Sequence, residues 1–152
     1  MATTDTQPQE LSSIQLTLDV VGDRWTLLIL RAMFRGKLRF SEIQCDLGIA
    51  KNLLSDRLGR LVDHDVAEKV QYQERPVRYE YQLTEKGRSL SPVLIALMHW
   101  GEQWRTDGHR DNVLVHDDCG TPITHGVHCP QCAIEIDSEH IQSTAAAAPG
   151  EA

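Results

Sequence analysis

Apolar residues recur at helical spacing from Leu11 through Ile14, Leu18 and Val21, and Gly22 offers that helix an end. Asp23 is a good N-cap for a second helix, which puts Trp25, Leu28, Ile29 and Ala32 on one face and closes at Gly36. A shorter element opens at Phe40 and Ser41, with Ser41 as its cap and Ile43 and Leu47 turned inward, and Gly48 breaks it. After a tight turn at Ile49, a helix is predicted from Ala50 to about His64. Leu53, Leu54, Leu58, Leu61 and Val62 form its apolar face, which leaves Lys51, Asn52, Ser55, Asp56, Arg57 and Arg60 on the other side.

The period then changes. Val66, Glu68, Val70 and Tyr72 read as one strand, and Val77, Tyr79, Tyr81 and Leu83 alternate with Arg78, Glu80 and Gln82 as a second. Glu74, Arg75 and Pro76 between them predict a hairpin with a basic, proline-containing tip. Thr84 caps a further helical stretch, in which Gly87 is tolerated early. Its segment from Ser89 to Arg105 carries Leu90, Val93, Leu94, Leu97, Met98, Trp100 and Trp104 on a wide, aromatic face. After Gly108 the chain turns to His, Asp, Cys and Pro. The expected organisation is a disordered stretch over 1–10, a folded domain over 11–110, a Cys/His-rich tail over 111–137 and a flexible end over 138–152.

Two short helices across a glycine turn, followed by a basic hairpin, describe an α+β winged helix-turn-helix, mostly helical with a two- or three-stranded wing. Charge supports that reading once its distribution is considered. The net charge of −7 is wrong for a nucleic-acid partner if spread evenly, but all 15 Lys and Arg lie between Arg24 and Arg110, against 11 acids. Residues 1–23 hold four acids and no Lys or Arg, and residues 111–152 hold seven acids and none. The polar face of the Ala50–His64 helix suits a major groove: Lys51, Asn52, Ser55 and Arg57 can donate to phosphates and base edges, with Asn matched to adenine and Arg to guanine. Arg75 and Arg78 at the hairpin tip can reach the backbone or the adjacent minor groove.

No apolar run approaches the roughly 20 residues of a membrane span, and MATTDTQPQE lacks the basic and apolar regions of a signal peptide. The expected location is therefore the cytoplasm, without a membrane partner. No G-x-G-x-x-G, P-loop or G-x-S-x-G occurs, so no enzyme is expected. A winged helix serving only as a protein-interaction module is the alternative; it would show no salt-dependent affinity for DNA.

The stretch from Leu18 to Trp104 resembles the HxlR-type winged-helix regulators. The resemblance rests on Gly22–Trp25, Arg39–Phe40, Gly48–Ile49, Leu54–Arg57–Leu58, Pro76–Arg78–Tyr81, Leu83–Thr84–Gly87 and Trp100. It implies a bacterial transcription factor, usually a repressor, that binds a near-palindromic operator in double-stranded DNA as a homodimer. Its DNA-facing set here would be Arg39, Lys51, Asn52, Ser55, Arg57, Arg75 and Arg78. The first and last helices would pair the subunits through Leu11, Ile14, Leu18, Leu94, Leu97, Trp100 and Trp104. Their apolar faces are wider than a monomer's core requires. Several HxlR-type proteins sense oxidants through a cysteine just before the first helix. Here Ser12 and Ser13 stand there, and Cys45 is expected to be a small buried residue. A small-molecule effector near the dimer helices fits this layout, although no residue names one.

The other three cysteines lie in HDDCGTPITHGVHCPQC. His116 and Cys119 are spaced H-x2-C, and Cys129 and Cys132 form a C-x2-C, so the two pairs can complete a structural zinc site. His125 and His128 compete with His116 for the histidine place. A redox pair of Cys129 and Cys132 and a loose metal-free tail are the other readings.

Overall fold

Ser12 caps α1 (Ser13–Val21): its hydroxyl accepts from the Gln15 N–H, and the Gln15 side chain accepts from the Ser12 N–H. The computed structural model describes residues 12–107 and 113–143, so Leu11 and the expected disordered stretch over 1–10 lie outside the described residues. Gly22 ends α1 as expected, and Asp23 caps α2 (Arg24–Phe34). The short α3 (Phe40–Leu47) differs from expectation at its start. Ser41 lies inside the helix, and the capping is done by the Glu42 carboxylate, which accepts from the N–H groups of Leu38 and Arg39. Gly48, at φ +61°, makes the left-handed turn into α4 (Lys51–Asp63), a conformation that glycine adopts without steric cost.

The wing is an antiparallel pair, β1 (Ala67–Glu74) and β2 (Val77–Leu83), registered Ala67 to Leu83 with a bulge between Gln71 and Gln73. Glu74 belongs to the strand, so the turn is narrower than expected: Arg75 and Pro76 alone. One backbone bond, Tyr81 N–H to the Leu38 carbonyl at 2.7 Å, ties β2 to the loop before α3. The helical stretch after Thr84 is two helices: α5 (Glu85–Arg88) and α6 (Ser91–Arg105). Gly87 is required there. A Cβ would lie 2.1 Å from the Val66 carbonyl oxygen.

The first unit, Met1–Ile95, has a single core. Ile29, Leu30 and Met33 of α2, Ile43 of α3, Ile49 of the turn, Leu54, Leu58 and Leu61 of α4, and Val66 and Leu83 around the wing are its main buried side chains. The apolar periodicity of α4 predicted this packing; in α2 Ile29 and Ala32 are buried as expected, but Leu30 and Met33 fill the core and Leu28 does not join it. Leu54, Leu58 and Leu61 are fully buried, and Leu53 and Val62 flank them.

The second unit, Ala96–Ala152, takes the last two-thirds of α6 and the tail, so the division falls inside α6 and not near residue 110. Among its described residues beyond α6 there are two short hairpins, marked by the bridges Val115–Pro122 and His128–Glu135, and one 3-10 turn, Ser138–His140, in the stretch expected to be flexible.

Candidate nucleic-acid interface

The core contacts of α4 decide which side chains it can offer. With Leu54, Leu58 and Leu61 turned inward, Lys51, Asn52 and Ser55 stand exposed together near its N-terminus. Helix-turn-helix proteins contact base edges with the N-terminal residues of this second helix. Arg75 and Arg78 are exposed at the end of the wing. Arg39, also exposed, stands at the N-cap position of α3 and lays its guanidinium 4.5 Å from the centre of the Tyr72 ring. On the same strand pair Lys69 covers Tyr79 in the same way, a contact that the alternation of the strands did not single out.

Arg57 has a different place from the one expected. Its side chain is largely covered, and its Nε donates to Asp23 Oδ1 at 3.0 Å while its terminal nitrogen meets Asp56. Asp23 is the centre of this joint. Its carboxylate accepts from the N–H groups of Trp25 and Thr26 and from the Thr26 hydroxyl as well as from Arg57. Burial pushes its pKa up, but the bonds from Thr26 and Arg57 outweigh that and hold it below the ordinary value. Arg60 adds a second tie, donating to the Asp19 carbonyl of α1 at 2.9 Å. Arg57 and Arg60 therefore fix the helix, while Lys51, Asn52 and Ser55 are its outward set.

The helices expected to pair subunits are bare. Ile14 and Leu18 of α1 are exposed, as are Leu97, Trp100 and Trp104 of α6. Leu94 is the exception, being half-buried against the core of its own chain. Cys45, expected in the interior, is exposed on α3, where only Ile43 is buried; two residues further along a helix the side chain points to the opposite side.

In the tail, His116 Nδ1 lies 3.3 Å from Cys119 Sγ, which also meets the Thr121 hydroxyl at 3.1 Å. Hydrogen bonds from the Thr121 side chain and N–H, and from His116, hold the Cys119 pKa below the usual thiol range. The N–H groups of Cys132 and Gln131, with the Cys132 thiol, do the same for Cys129. Each predicted pair is thus formed. Among the described residues, however, no three His, Cys, Asp or Glu side chains are gathered closely enough to hold one ion. His125 is engaged elsewhere, its Nδ1 2.7 Å from that of His99 in α6. Beside this contact lies an open cavity of about 410 Å³, lined in part by Met98, Leu114 and Ile123.

A glycine-turned helix pair with a polar outward face, followed by an arginine-tipped hairpin, defines a winged helix-turn-helix regulator of transcription. The chain belongs to the HxlR-like helix-turn-helix family, whose profile matches residues 20–109. It is 39% identical over 134 residues to the HTH-type transcriptional regulator Rv3095 of Mycobacterium tuberculosis, a match covering 87% of this chain and 84% of the other. The HTH-type regulator YvaP of Bacillus subtilis is 34% identical over 99 residues, covering 64% of this chain and 92% of YvaP. Among solved structures, the transcription factor PA1607 superposes with a TM-score of 0.80 at 37% identity, over 90% of this chain and 96% of that one. The redox regulator HypR in its reduced form gives 0.58 at 30% identity, over 64% and 100%. No helix among the described residues is long and apolar enough to cross a membrane.

Proposed function

We infer that this regulator acts as a homodimeric, cytoplasmic repressor that reads a near-palindromic operator, with no catalytic activity of its own. The observation that carries the reading is the division of labour on α4. Three leucines anchor it, Arg57 and Arg60 brace it, and Lys51, Asn52 and Ser55 are left exposed for base edges and phosphates. Arg39, Arg75 and Arg78 extend the contact to the backbone on the wing side.

Dimerisation is supported by the apolar surface that the fold leaves uncovered. Ile14 is 71% exposed, Trp100 58% and Trp104 65%, on helices whose polar faces would otherwise be the ones turned to water. A two-fold arrangement places two α4 helices about one helical turn of DNA apart, roughly 34 Å. The cavity beside His99 and His125 is the place we assign to an effector of small size and mixed polarity.

The test is a titration of the purified protein against the duplex upstream of its own gene, at two salt concentrations and with a scrambled control. Selective binding that weakens with salt, at two chains per duplex, is the expected result. Equal binding to both duplexes would overturn sequence-specific reading, and no binding would overturn the reading in favour of a winged helix used for protein contacts.

A further inference from the structure

The tail repeats itself in space at a constant offset that its composition conceals. In the first hairpin the Ile123 N–H bonds the Leu114 carbonyl, the His116 N–H bonds that of Thr121, and the Gly120 N–H bonds that of His116, each at 2.8 Å. In the second, the Ile136 N–H bonds Val127, the Cys129 N–H bonds Ile134, and the Ala133 N–H bonds Cys129, at 2.7, 3.0 and 2.9 Å. Every partner is displaced by 13 residues, and so are the bridges Val115–Pro122 and His128–Glu135. The left-handed residue is displaced equally, Gly120 at φ +69° and Ala133 at φ +57°. Alanine disfavours that region, so the turn shape is imposed in the second copy by something other than local preference.

Under this offset His116 corresponds to Cys129 and Cys119 to Cys132. Each copy is a knuckle: a tight turn that carries two soft ligands three residues apart, with His116 Nδ1 3.3 Å from Cys119 Sγ in the first. Neither hairpin has a core. Val113, Leu114, Val115, Ile123, Val127 and Ile134 are all exposed, and only Cys129 and Ile136 are even half-covered between 113 and 143. Segments this small are ordinarily held by disulfides, a metal or a partner, and all of the cysteines are free thiols.

We propose that residues 113–136 form a two-knuckle metal unit in which His116, Cys119, Cys129 and Cys132 together hold a single zinc ion. Each knuckle supplies two of the four ligands of a closed tetrahedral site, and the ion is what draws one preformed pair onto the other. Three thiolates and a neutral imidazole select a soft, borderline d10 cation over magnesium or calcium. Binding releases the three thiol protons, and the resulting site has no open position for catalysis. His125 and His128 do not belong to the set. His125 pairs with His99, and His128 falls on the bridge position that Val115 occupies in the first copy.

The experiment is elemental analysis of the full chain purified without chelator, followed by replacement with cobalt(II). One zinc per chain is expected, and the cobalt form should show thiolate-to-metal charge transfer and intense visible bands of tetrahedral cobalt. Cys119→Ser and Cys132→Ser should each lose most of the bound metal, while His125→Ala and Cys45→Ser keep it. The far-ultraviolet melting of the winged helix, recorded on the same variants, separates loss of the site from loss of the fold. A metal-free protein that takes up neither ion would overturn the proposal. So would a content that follows His125 in place of His116, or a Cys129–Cys132 disulfide in the freshly purified chain.

Discussion

Residues 12–95 and 113–143 solve the same problem, holding a shape against chain entropy, by different means. The first region buries thirteen hydrophobic side chains, and its outward residues are left over for recognition. The second buries none among its described residues, keeps its apolar side chains at the surface, and relies on backbone bonds within two turns. A core is insensitive to which apolar residue fills it, provided volume is kept. The matches follow this division. YvaP and HypR each cover about two-thirds of the chain, whereas matches spanning 87% and 90% of it, to Rv3095 and PA1607, reach past residue 109 into the tail.

The comparison breaks if the two regions share one source of stability. Leu58→Ala removes a fully buried side chain at the centre of the first region. It should cost about 2–5 kcal/mol in thermal or denaturant unfolding of the winged helix, with the zinc proposed for the tail retained. A parallel loss of metal would mean that the regions fold as one. Asn52→Ala should leave both stabilities alone and lower the discrimination between operator and scrambled duplex by about 1–3 kcal/mol, read from paired titrations.

The smallest expected effect is at the joint beneath α4. Asp23→Ala removes the cap of α2 and the partner of Arg57, at a cost of about 0.5–2 kcal/mol. Because the folded pKa of Asp23 lies below its ordinary value of 3.8, its contribution is complete above that value and is lost as pH falls through the lower folded one. The gap in melting temperature between the wild type and Asp23→Ala should therefore be constant near neutrality and close in acid. A gap that widened in acid would contradict the geometry of the joint.

Much of the first region was legible because its elements are local and periodic. The apolar stripe of α4, the Asp23 cap, the Gly48 turn and the alternating strands each depend on residues a few positions apart. Features that join distant segments were not legible. Arg57 reads as one more exposed base on a polar helix face until Asp23, 34 residues earlier, is seen beside it. The need for glycine at 87 comes from the Val66 carbonyl, 21 residues earlier, which leaves no room for a Cβ and which no periodicity records. Cys45 was placed inside by residue type, although a two-turn helix that buries Ile43 turns position 45 outward. In the tail, the H-x2-C and C-x2-C spacings were visible, but their equivalence was not, since Gly120 and Ala133 share a backbone angle and little else. The offset common to His116–Cys119–Gly120 and Cys129–Cys132–Ala133 was the signal available.

The two arginines that hold α4 have a mechanical consequence. Arg57 grips the head of α2, and Arg60 grips the tail end of α1, which of its own residues buries only Val21. Of the two ties only the Arg60–Asp19 bond reaches α1; the Arg57–Asp23 bond stops at the cap of α2. The angle at which Lys51, Asn52 and Ser55 stand is thus set by polar ties to both preceding helices as well as by the three buried leucines.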